Sequence, residues 1–271
     1  LQMNLLDEYS IAACLENRDI NVIIHLAALN EIDSIKNPEL ALEVNTQGTY
    51  KLLSVANANG IRRFVYFSTY HVYGATSGSV ITEDTPTRPF HPYAITHRAA
   101  EDFVTFFYRY HKMTTLIFRL SNGYGYPMNR DIDRWTLIFN DLCRQAVTSA
   151  RVVLKSSGKQ HRDFIALHDV ARAVHHFLFA IPDQWGDGLY NLGGNCSMSI
   201  LDVANKISGI YKAKYKKEIG GINTAQDGNG SITPGPVQYS IDKITKTGFT
   251  LKGDMTSEIE STMQLCEGFA E

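Results

Sequence analysis

The stretch IRRFVYFSTYHVYG, residues 61–74, decides the fold of this chain. Residues 61–68 are rich in apolar and aromatic side chains and have the length of a buried parallel strand. Around it the apolar spacing predicts strands over 21–28 and 114–120 and helices over 38–59 and 93–112. Strands and helices that alternate in this order form a parallel sheet with right-handed crossovers. The sequence therefore predicts an α/β protein with a doubly wound parallel sheet.

The composition and net charge of the chain indicate which kinds of partner it is expected to have. The chain has 271 residues, 44% of them hydrophobic, and a net charge of −2, so a substantial core is expected and a nucleic-acid partner is not. No stretch approaches the ~18 apolar residues of a membrane span, and no leader pattern opens the sequence. We therefore expect a cytoplasmic protein with no membrane contact. The four cysteines are scattered and the nine histidines form no H-x-x-x-H motif, so no metal site is predicted.

Two hydroxyl side chains stand where such a sheet binds its ligands, beyond the carboxyl ends of the strands. Thr69 follows the strand 61–68, and Tyr93 opens the helix 93–112. Tyrosine ionises near ~10 unaided, so as a base at neutral pH it needs a nearby positive charge. The residue four positions on, His97, lies on the same helical face but is largely neutral near pH 7. The alternative interpretation is an ordinary strand-end hydroxyl and an ordinary helix-start aromatic.

Six segments, in register along the chain, resemble the extended short-chain dehydrogenases/reductases of the NAD-dependent epimerase/dehydratase kind. They are VIIHLAA (22–28), NTQGTYKLLSVA (45–56), RRFVYFSTYHVYG (62–74), ITEDTPTRPFHPYAITHRAAE (81–101), RLSNGYG (119–125) and RDFIALHDVARA (162–173). The resemblance implies a Rossmann-like sheet with a smaller C-terminal substrate-binding lobe. It also implies a nucleotide-sugar substrate and NAD or NADP as the cofactor.

The resemblance assigns roles to single residues. Thr69 matches the residue that binds the sugar hydroxyl, and Tyr93 matches the tyrosine that moves the hydroxyl proton while hydride passes to the nicotinamide. His97 stands where the family has a lysine that bridges the nicotinamide ribose. Ala27 and Ala28 match residues that lie against the cofactor. Two further cofactor positions, one supporting the active-site strand and one contacting the adenine, correspond to Asn45 and Asn4.

On the substrate side, Asn122 and Arg162 match positions that hold the nucleotide-sugar phosphates, a task that suits the planar guanidinium. The alternative for Arg162 is a surface ion pair with Asp163 or Asp169. The positions after Thr69, where dehydratases place Asp-Glu, are Tyr70 and His71, which we count among the substrate-binding residues. Their identity favours epimerisation or oxidation and reduction over dehydration.

Four departures from the family pattern accompany the resemblance. No G-x-x-G-x-x-G turn is present, and residues 3–7 resemble the stretch just before VIIHLAA, so we expect an N-terminally incomplete chain that begins after the first βαβ unit. Either that unit is missing from this sequence, or the protein lacks the pyrophosphate cradle. Asn4 replaces an aspartate, and His97 replaces the lysine. TPGPV, residues 233–237, replaces R-P-G-D. The glycines at 123 and 125 we interpret as a turn.

These observations predict the domain organisation, the function and the oligomeric state of the protein. Residues 1–150 are expected to form the cofactor-binding domain, and 151–271 a mixed α/β substrate-binding region with some chain returning to the first sheet. The predicted function is a nucleotide-sugar epimerase or related sugar-modifying oxidoreductase; the alternative is a non-catalytic relative that binds a sugar nucleotide or a protein. The resemblance also implies a homodimer that pairs through the helices 93–112 and 38–59, unless the aromatic residues of the former are simply core.

Overall fold

The computed structural model describes residues 1–75, 80–132, 134–182, 184–226 and 235–269 of the chain. In these residues the strands are β1 Ile23–His25, β2 Arg63–Thr69, β3 Val80–Ile81, β4 Thr114–Leu120, β5 Asn122–Tyr124, β6 Val152–Leu154, β7 His161–Ala166, β8 Leu189–Leu192, β9 Ser197–Ser199, β10 Ile222–Thr224 and β11 Gln238–Tyr239. The α-helices are α1 Glu8–Leu15, α2 Glu31–Lys36, α3 Pro38–Ala41, α4 Thr49–Ala58, α5 Pro92–His111, α6 Ile138–Ser149, α7 Leu167–His175, α8 Ile200–Tyr215, α9 Asp242–Thr245 and α10 Met255–Glu267.

The described residues divide into two compact units. Unit 1 comprises Leu1–Ala75, Glu83–Leu120 and Phe179–Asn191. Unit 2 comprises 80–82 and the described residues within Ser121–Leu178 and Leu192–Glu271. The described chain leaves unit 1 between residues 75 and 80 and again after Leu120. Residues 189–191 of β8 belong to unit 1, and β8 pairs with β4 in the same sheet.

The main sheet of unit 1 has the strand order β1-β2-β4-β8. β1 pairs in parallel with β2, and β2 pairs in parallel with β4 over its whole length, from Arg63 opposite Thr114 to Thr69 opposite Leu120. Parallel strands buried on both faces need continuous apolar runs, which is why β2 and β4 were recognisable from sequence. The predicted α/β fold with a parallel sheet is confirmed.

Helices α4 and α5 pack near this sheet through one apolar cluster. Its fully buried members include Leu53, Phe64 and Val104. α5 begins with His91 as N-cap and proline at the first helical position, and it ends at Lys112 in the left-handed conformation. This fixes where the residues of its first turn stand.

The predicted helix 38–59 is one helical stretch of three parts. α3 leads into a π-helical segment, Leu42–Gly48, which leads into α4. π-helical turns occur mostly as short bulges inside α-helices and often at functional sites. The segment carries Asn45 and Thr46 into the interior of unit 1.

Two short strands of unit 2 lie where the sequence predicts a loop or a turn. The glycine, asparagine, threonine and proline residues of 220–236 predict a loop, but β10 lies within it and pairs in parallel with β6, so that prediction was wrong for residues 222–224. The predicted turn at residues 123–125 is wrong for residues 123 and 124, because β5 pairs in parallel with β7 there. Both strands are only three residues long and draw on turn-forming residue types. Partner strands distant in sequence, rather than local propensity, hold them extended.

Unit 2 has its own core. Phe139, Leu142, Phe164 and Ile207 are at most 3% exposed and belong to one apolar cluster formed by α6, α8, α10 and the strands beside them. Within the described residues no helix combines the length and the apolar character that crossing a membrane requires.

Candidate active site

Thr69 ends β2 and begins the next turn. It is the N-cap of the 3₁₀ turn Tyr70–Tyr73, and its Oγ1 accepts a hydrogen bond of 3.2 Å from the backbone N–H of His71. The side chain is buried, and it lies at the carboxyl end of a central parallel strand. A ligand beyond that end of the sheet would meet this turn first.

Tyr93 lies in the first turn of α5 and is surrounded by imidazole rings. The ring centroid of His97 is 4.5 Å away and edge-on, and that of His71 is 6.2 Å away and edge-on. The ring of His91, also 6.2 Å away, is nearly parallel to it, with an interplanar angle of 3°. The structure thus brings Tyr93, His97 and His71 together, and it joins Thr69 to them through the turn that Thr69 caps. Tyr70, next in that turn, is half-buried and has its ring 4.2 Å from that of His71.

His97 is a buried, neutral histidine. Its Nδ1 lies 2.7 Å from the hydroxyl of Tyr66, whereas its Nε2 is buried and has no hydrogen-bond partner among the described residues. Burial lowers the pKa of His97 to about 3, with smaller contributions from His25 and His71. Burial also raises the pKa of Tyr66 well above its usual value. His97 therefore supplies none of the positive charge that a lysine would place beside Tyr93.

Asn45 ties the segment after β1 to α5. Its Oδ1 accepts from the backbone N–H of Leu29 at 2.6 Å, and its Nδ2 donates to the carbonyl of Leu29 at 3.3 Å and to Oγ1 of Thr96 at 3.0 Å. Ala27 and Ala28 lie just before this anchor and are exposed. Small exposed side chains beyond the carboxyl end of β1 leave a planar group room to approach the backbone.

Asn4 is exposed, and its side chain is engaged locally. Its Oδ1 accepts a hydrogen bond of 3.0 Å from the backbone N–H of Leu6, and its own N–H donates to Oγ of Ser10. It therefore orders the turn that leads into α1. Its predicted contact with adenine stays a prediction.

The two predicted phosphate ligands both lie in unit 2. Asn122 begins β5, and its Nδ2 donates to the backbone carbonyl of Asp163 at 3.0 Å. Arg162, half-buried on β7, stands opposite Met198 of β9. A cavity of about 310 Å³ in this unit is lined by Asp163, Asn195 and Ser197, among other residues, but not by Asn122 or Arg162.

The alternative interpretation of Arg162 as an ion-pair partner is wrong for both predicted carboxylates. Asp163 accepts hydrogen bonds from the backbone N–H groups of Gly194 and Cys196. Asp169 pairs with Arg172 at 2.8 Å and accepts from backbone N–H groups of the segment before α10. Neither forms an ion pair with Arg162 in the part of the chain that the structure describes. Of the departure TPGPV, Thr233 and Pro234 lie outside the described residues.

Sequence reasoning missed two residues of this site. His91, the N-cap of α5, was detectable, because a polar residue directly before proline is a helix-start signal. Tyr66 was not detectable, because a tyrosine inside an apolar strand looks like any other core aromatic. Its hydroxyl nevertheless orients His97.

The chain is similar to several known proteins in sequence and in fold. The sequence profile described as the NAD dependent epimerase/dehydratase family matches residues 1–193. A dTDP-D-glucose 4,6-dehydratase of Homo sapiens is 29% identical over 216 residues, which cover 78% of this chain and 59% of the relative. A dTDP-glucose 4,6-dehydratase of Haemophilus influenzae is 27% identical over 256 residues, covering 89% and 73%. The chain thus spans 59% of the length of the human relative.

Two solved structures share the fold. RMD from Pseudomonas aeruginosa, complexed with NADPH, superposes with a TM-score of 0.86 at 20% identity and covers 99% of this chain and 88% of that one. UDP-glucose 4-epimerase from Thermus thermophilus, complexed with NAD, gives 0.82 at 21% identity and covers 98% and 84%. At these identities the likeness concerns the fold, and the fold is the Rossmann-like α/β architecture predicted from the sequence.

Proposed function

Because the chain belongs to the NAD-dependent epimerase/dehydratase family, we propose that it modifies a nucleotide sugar by transient hydride transfer at a sugar carbon, with NAD or NADP as the cofactor. Epimerisation, or plain oxidation and reduction, is the proposed reaction within the family. In this proposal unit 1 binds the cofactor and unit 2 contributes to substrate binding.

The observation that carries the proposal is the position of Thr69 and Tyr93 at one edge of the sheet of unit 1. Thr69 ends β2, and the ring of Tyr93 lies 6.2 Å from that of His71, in the turn that Thr69 caps. In the proposed reaction Thr69 orients the sugar hydroxyl, and Tyr93 accepts its proton and later returns it. A tyrosine next to a bound hydroxyl can do this only while ordered, and the three imidazoles around its ring keep it so.

The residues of unit 1 fit the nicotinamide half of the cofactor. The exposed Ala27 and Ala28 leave room for a flat ring, and Asn45 holds the backbone beside them. The buried Nε2 of His97, which has no partner in the described ranges of the chain, is a donor or acceptor for a ribose hydroxyl once Tyr93 shifts to admit one. When bound, the nicotinamide supplies the hydride store. No glycine-rich turn is present in the sequence to hold the pyrophosphate.

Substrate binding is proposed to use Arg162 and Asn122 of unit 2 for the phosphates, together with Tyr70 and His71 beside Thr69. The half-buried guanidinium of Arg162, without a carboxylate partner among the described residues, supports the first part. The named relatives dehydrate dTDP-glucose. Tyr70 and His71 offer no carboxylate for water elimination, which supports epimerisation or redox chemistry instead.

A titration followed by a turnover assay tests the proposal. NAD⁺ and NADH are titrated calorimetrically into the purified 271-residue chain, and UDP- and dTDP-hexoses are then incubated with it and the products separated by chromatography. Tyr93→Phe should lower turnover by about 10²-fold or more while nicotinamide binding persists. The exposed Tyr9→Phe, outside the site, is the matched control and should leave turnover unchanged. Unaltered turnover in Tyr93→Phe would refute the proposed role of Tyr93.

The second candidate is a non-catalytic relative that binds a sugar nucleotide or a protein. The low pKa of His97, about 3, favours it, because a neutral imidazole does not stabilise a tyrosinate. Under this alternative the titration shows binding of a nucleotide or nucleotide sugar, and no hexose is converted. Conversion of any of the hexoses excludes it.

A homodimer through α4 and α5 is also proposed. Tyr50, Phe103, Phe106 and Tyr110 are between 37% and 75% exposed, whereas Phe107 is buried in the core of unit 1. Large exposed aromatics on one helix support an interaction surface. Phe106→Glu should shift the mass measured by light scattering from dimer to monomer. A cytoplasmic location stays a prediction from the sequence.

A further inference from the structure

Three potential metal ligands converge beside Tyr93, each from a different element. Glu31 is the first residue of α2, His71 lies in the 3₁₀ turn after β2, and His91 is the N-cap of α5. One ligand atom from each lies within 4.8 Å of the others. The prediction of no metal site rested on the spacing of ligands along the sequence. These ligands stand 40 and 20 residues apart and meet only in the folded chain.

Two imidazoles and a carboxylate are the donors of catalytic zinc centres. Around a tetrahedral Zn²⁺, with bonds of ~2.0–2.2 Å, neighbouring ligand atoms lie about 3.3–3.6 Å apart. The ligand atoms therefore need to close by about 1 Å, which rotation of the exposed Glu31 side chain and a small ring movement can provide. Three protein ligands leave a fourth position open.

A second observation points to a ligand at this place. Nε2 of His91 is buried and has no hydrogen-bond partner among the described residues. Its Nδ1 accepts from the backbone N–H of Ala94 at 3.4 Å, a long and weak cap interaction. Coordination through Nε2 gives that nitrogen a partner; the proton then lies on Nδ1, and the long hydrogen bond from Ala94 is lost. A buried imidazole nitrogen left without a partner is otherwise unfavourable.

The charge of the cluster and its access from solvent suit a cation. Glu31 is exposed and forms no ion pair with any described residue, so an ion can reach the cluster from solvent without displacing a cation. The nearby ion pair, Asp33 with Lys36, lies on the same short helix and does not include it. The cluster also stands at the carboxyl edge of β2, next to the turn that Thr69 begins.

We propose that Glu31, His71 and His91 bind one divalent transition-metal ion, with Zn²⁺ as the probe. The bound ion places a positive charge beside Tyr93, where the neutral His97 supplies none. This consequence rests on the proposed function, whereas the binding itself does not. In the proposed reaction the open coordination position would accept an oxygen of the sugar.

The test measures metal binding directly. The chain is stripped with a chelator and titrated with Zn²⁺ by calorimetry and by equilibrium dialysis with elemental analysis. One equivalent should bind, and His71→Asn and Glu31→Gln should each weaken it at least tenfold. His91→Asn is the sharpest variant, because asparagine keeps the N-cap of α5 and removes the imidazole. The exposed His168→Asn is the matched control and should bind as the unchanged chain does.

The absorption spectrum of bound Co²⁺ distinguishes this site from metal binding elsewhere in the chain. Co²⁺ in a tetrahedral nitrogen and oxygen site gives visible d–d bands without the intense thiolate charge transfer that Cys196, the half-buried cysteine, would produce. Those bands should persist in Cys196→Ser and vanish in His91→Asn. Binding that survives in His71→Asn and His91→Asn, or the absence of stoichiometric binding to the folded chain, overturns the proposal. Metal binding without hexose turnover would leave this site standing and refute only the proposed function.

Discussion

The hydroxyl oxygen of Tyr66 lies 2.7 Å from Nδ1 of His97, and the pair is completely enclosed in unit 1. Burial holds both side chains neutral, since it raises the pKa of the phenol and lowers that of the imidazole. A strand residue thus fixes the ring plane of a helix residue. That ring in turn meets the ring of Tyr93 edge-on at 4.5 Å.

Tyr66→Phe should destabilise the chain by about 1–3 kcal/mol, because it leaves Nδ1 of His97 buried without a partner. Replacing both residues, as in Tyr66→Phe with His97→Leu, should cost less than the sum of the two single changes. Urea unfolding of the four proteins measures this coupling. Strict additivity would mean that the hydrogen bond contributes nothing.

The stability of the chain should fall as the solution is acidified from neutrality. Burial lowers the pKa of His25 to about 4 and that of His97 to about 3, from an ordinary value of 6.5. Below pH 6.5 the unfolded chain therefore binds protons that the folded chain does not. Each histidine removes about 1.4 kcal/mol per pH unit between its unfolded and folded pKa values.

Urea unfolding near pH 7.5, 6 and 5 measures this dependence. His97→Gln should make the decline shallower by about one histidine's share. His168→Gln, at an exposed position, should leave the slope unchanged. A slope equal in the His97 variant and the unchanged chain would contradict the assignment.

The buried ion pair of Glu101 and Arg119 should matter far more than the exposed one beside it. Arg119 Nη2 lies 2.7 Å from Oε2 of Glu101, and both side chains are at most 5% exposed. Glu101→Gln should cost about 3–5 kcal/mol, because it removes the carboxylate that neutralises the buried guanidinium of Arg119. The neighbouring ion pair of Asp102 and Arg98 has a similar length, but the Asp102 side chain is 67% exposed. Asp102→Asn should therefore cost under about 1 kcal/mol. Thermal unfolding of the two variants compares them, and similar costs would count against this difference.

Two glycines should respond to alanine in opposite directions. At Gly194 a Cβ atom would clash with the backbone carbonyl of Phe164, which cannot give way because it belongs to β7. At Gly209, inside α8, a Cβ meets nothing within 4 Å. Gly194→Ala should therefore destabilise by several kcal/mol, whereas Gly209→Ala should stabilise by about 0.5–1 kcal/mol. A raised melting temperature for Gly194→Ala would contradict this account.

The sequence predicted those parts of the fold that depend on long apolar runs. β4 has the predicted bounds because it is buried along almost its whole length. α5 begins and ends within one residue of its prediction because a proline opens it and one of its faces is apolar and buried. β5 and β10 escaped prediction since each is three residues long and is held by a distant strand.

The candidate site likewise contains residues that the sequence identified and residues that it did not. The family pattern identified Thr69 and Tyr93, and the structure brings their elements together. Glu31 and His91 could not be recognised as a pair, because their proximity depends on how α2 and α5 are placed rather than on any spacing in the chain. The neutrality of His97 likewise depends on its burial, which a residue's identity does not reveal.

The π-helical segment Leu42–Gly48 has a consequence for comparing this chain with others. A π turn closes over five residues where an α turn closes over four, so the segment holds one residue more than an uninterrupted α-helix of the same span. Removing one residue there would restore an uninterrupted α-helix of the same span. An alignment with a relative whose helix is α throughout therefore requires a one-residue gap between Leu42 and Gly48. Placed elsewhere, the gap would match Asn45 to a residue that faces a different direction.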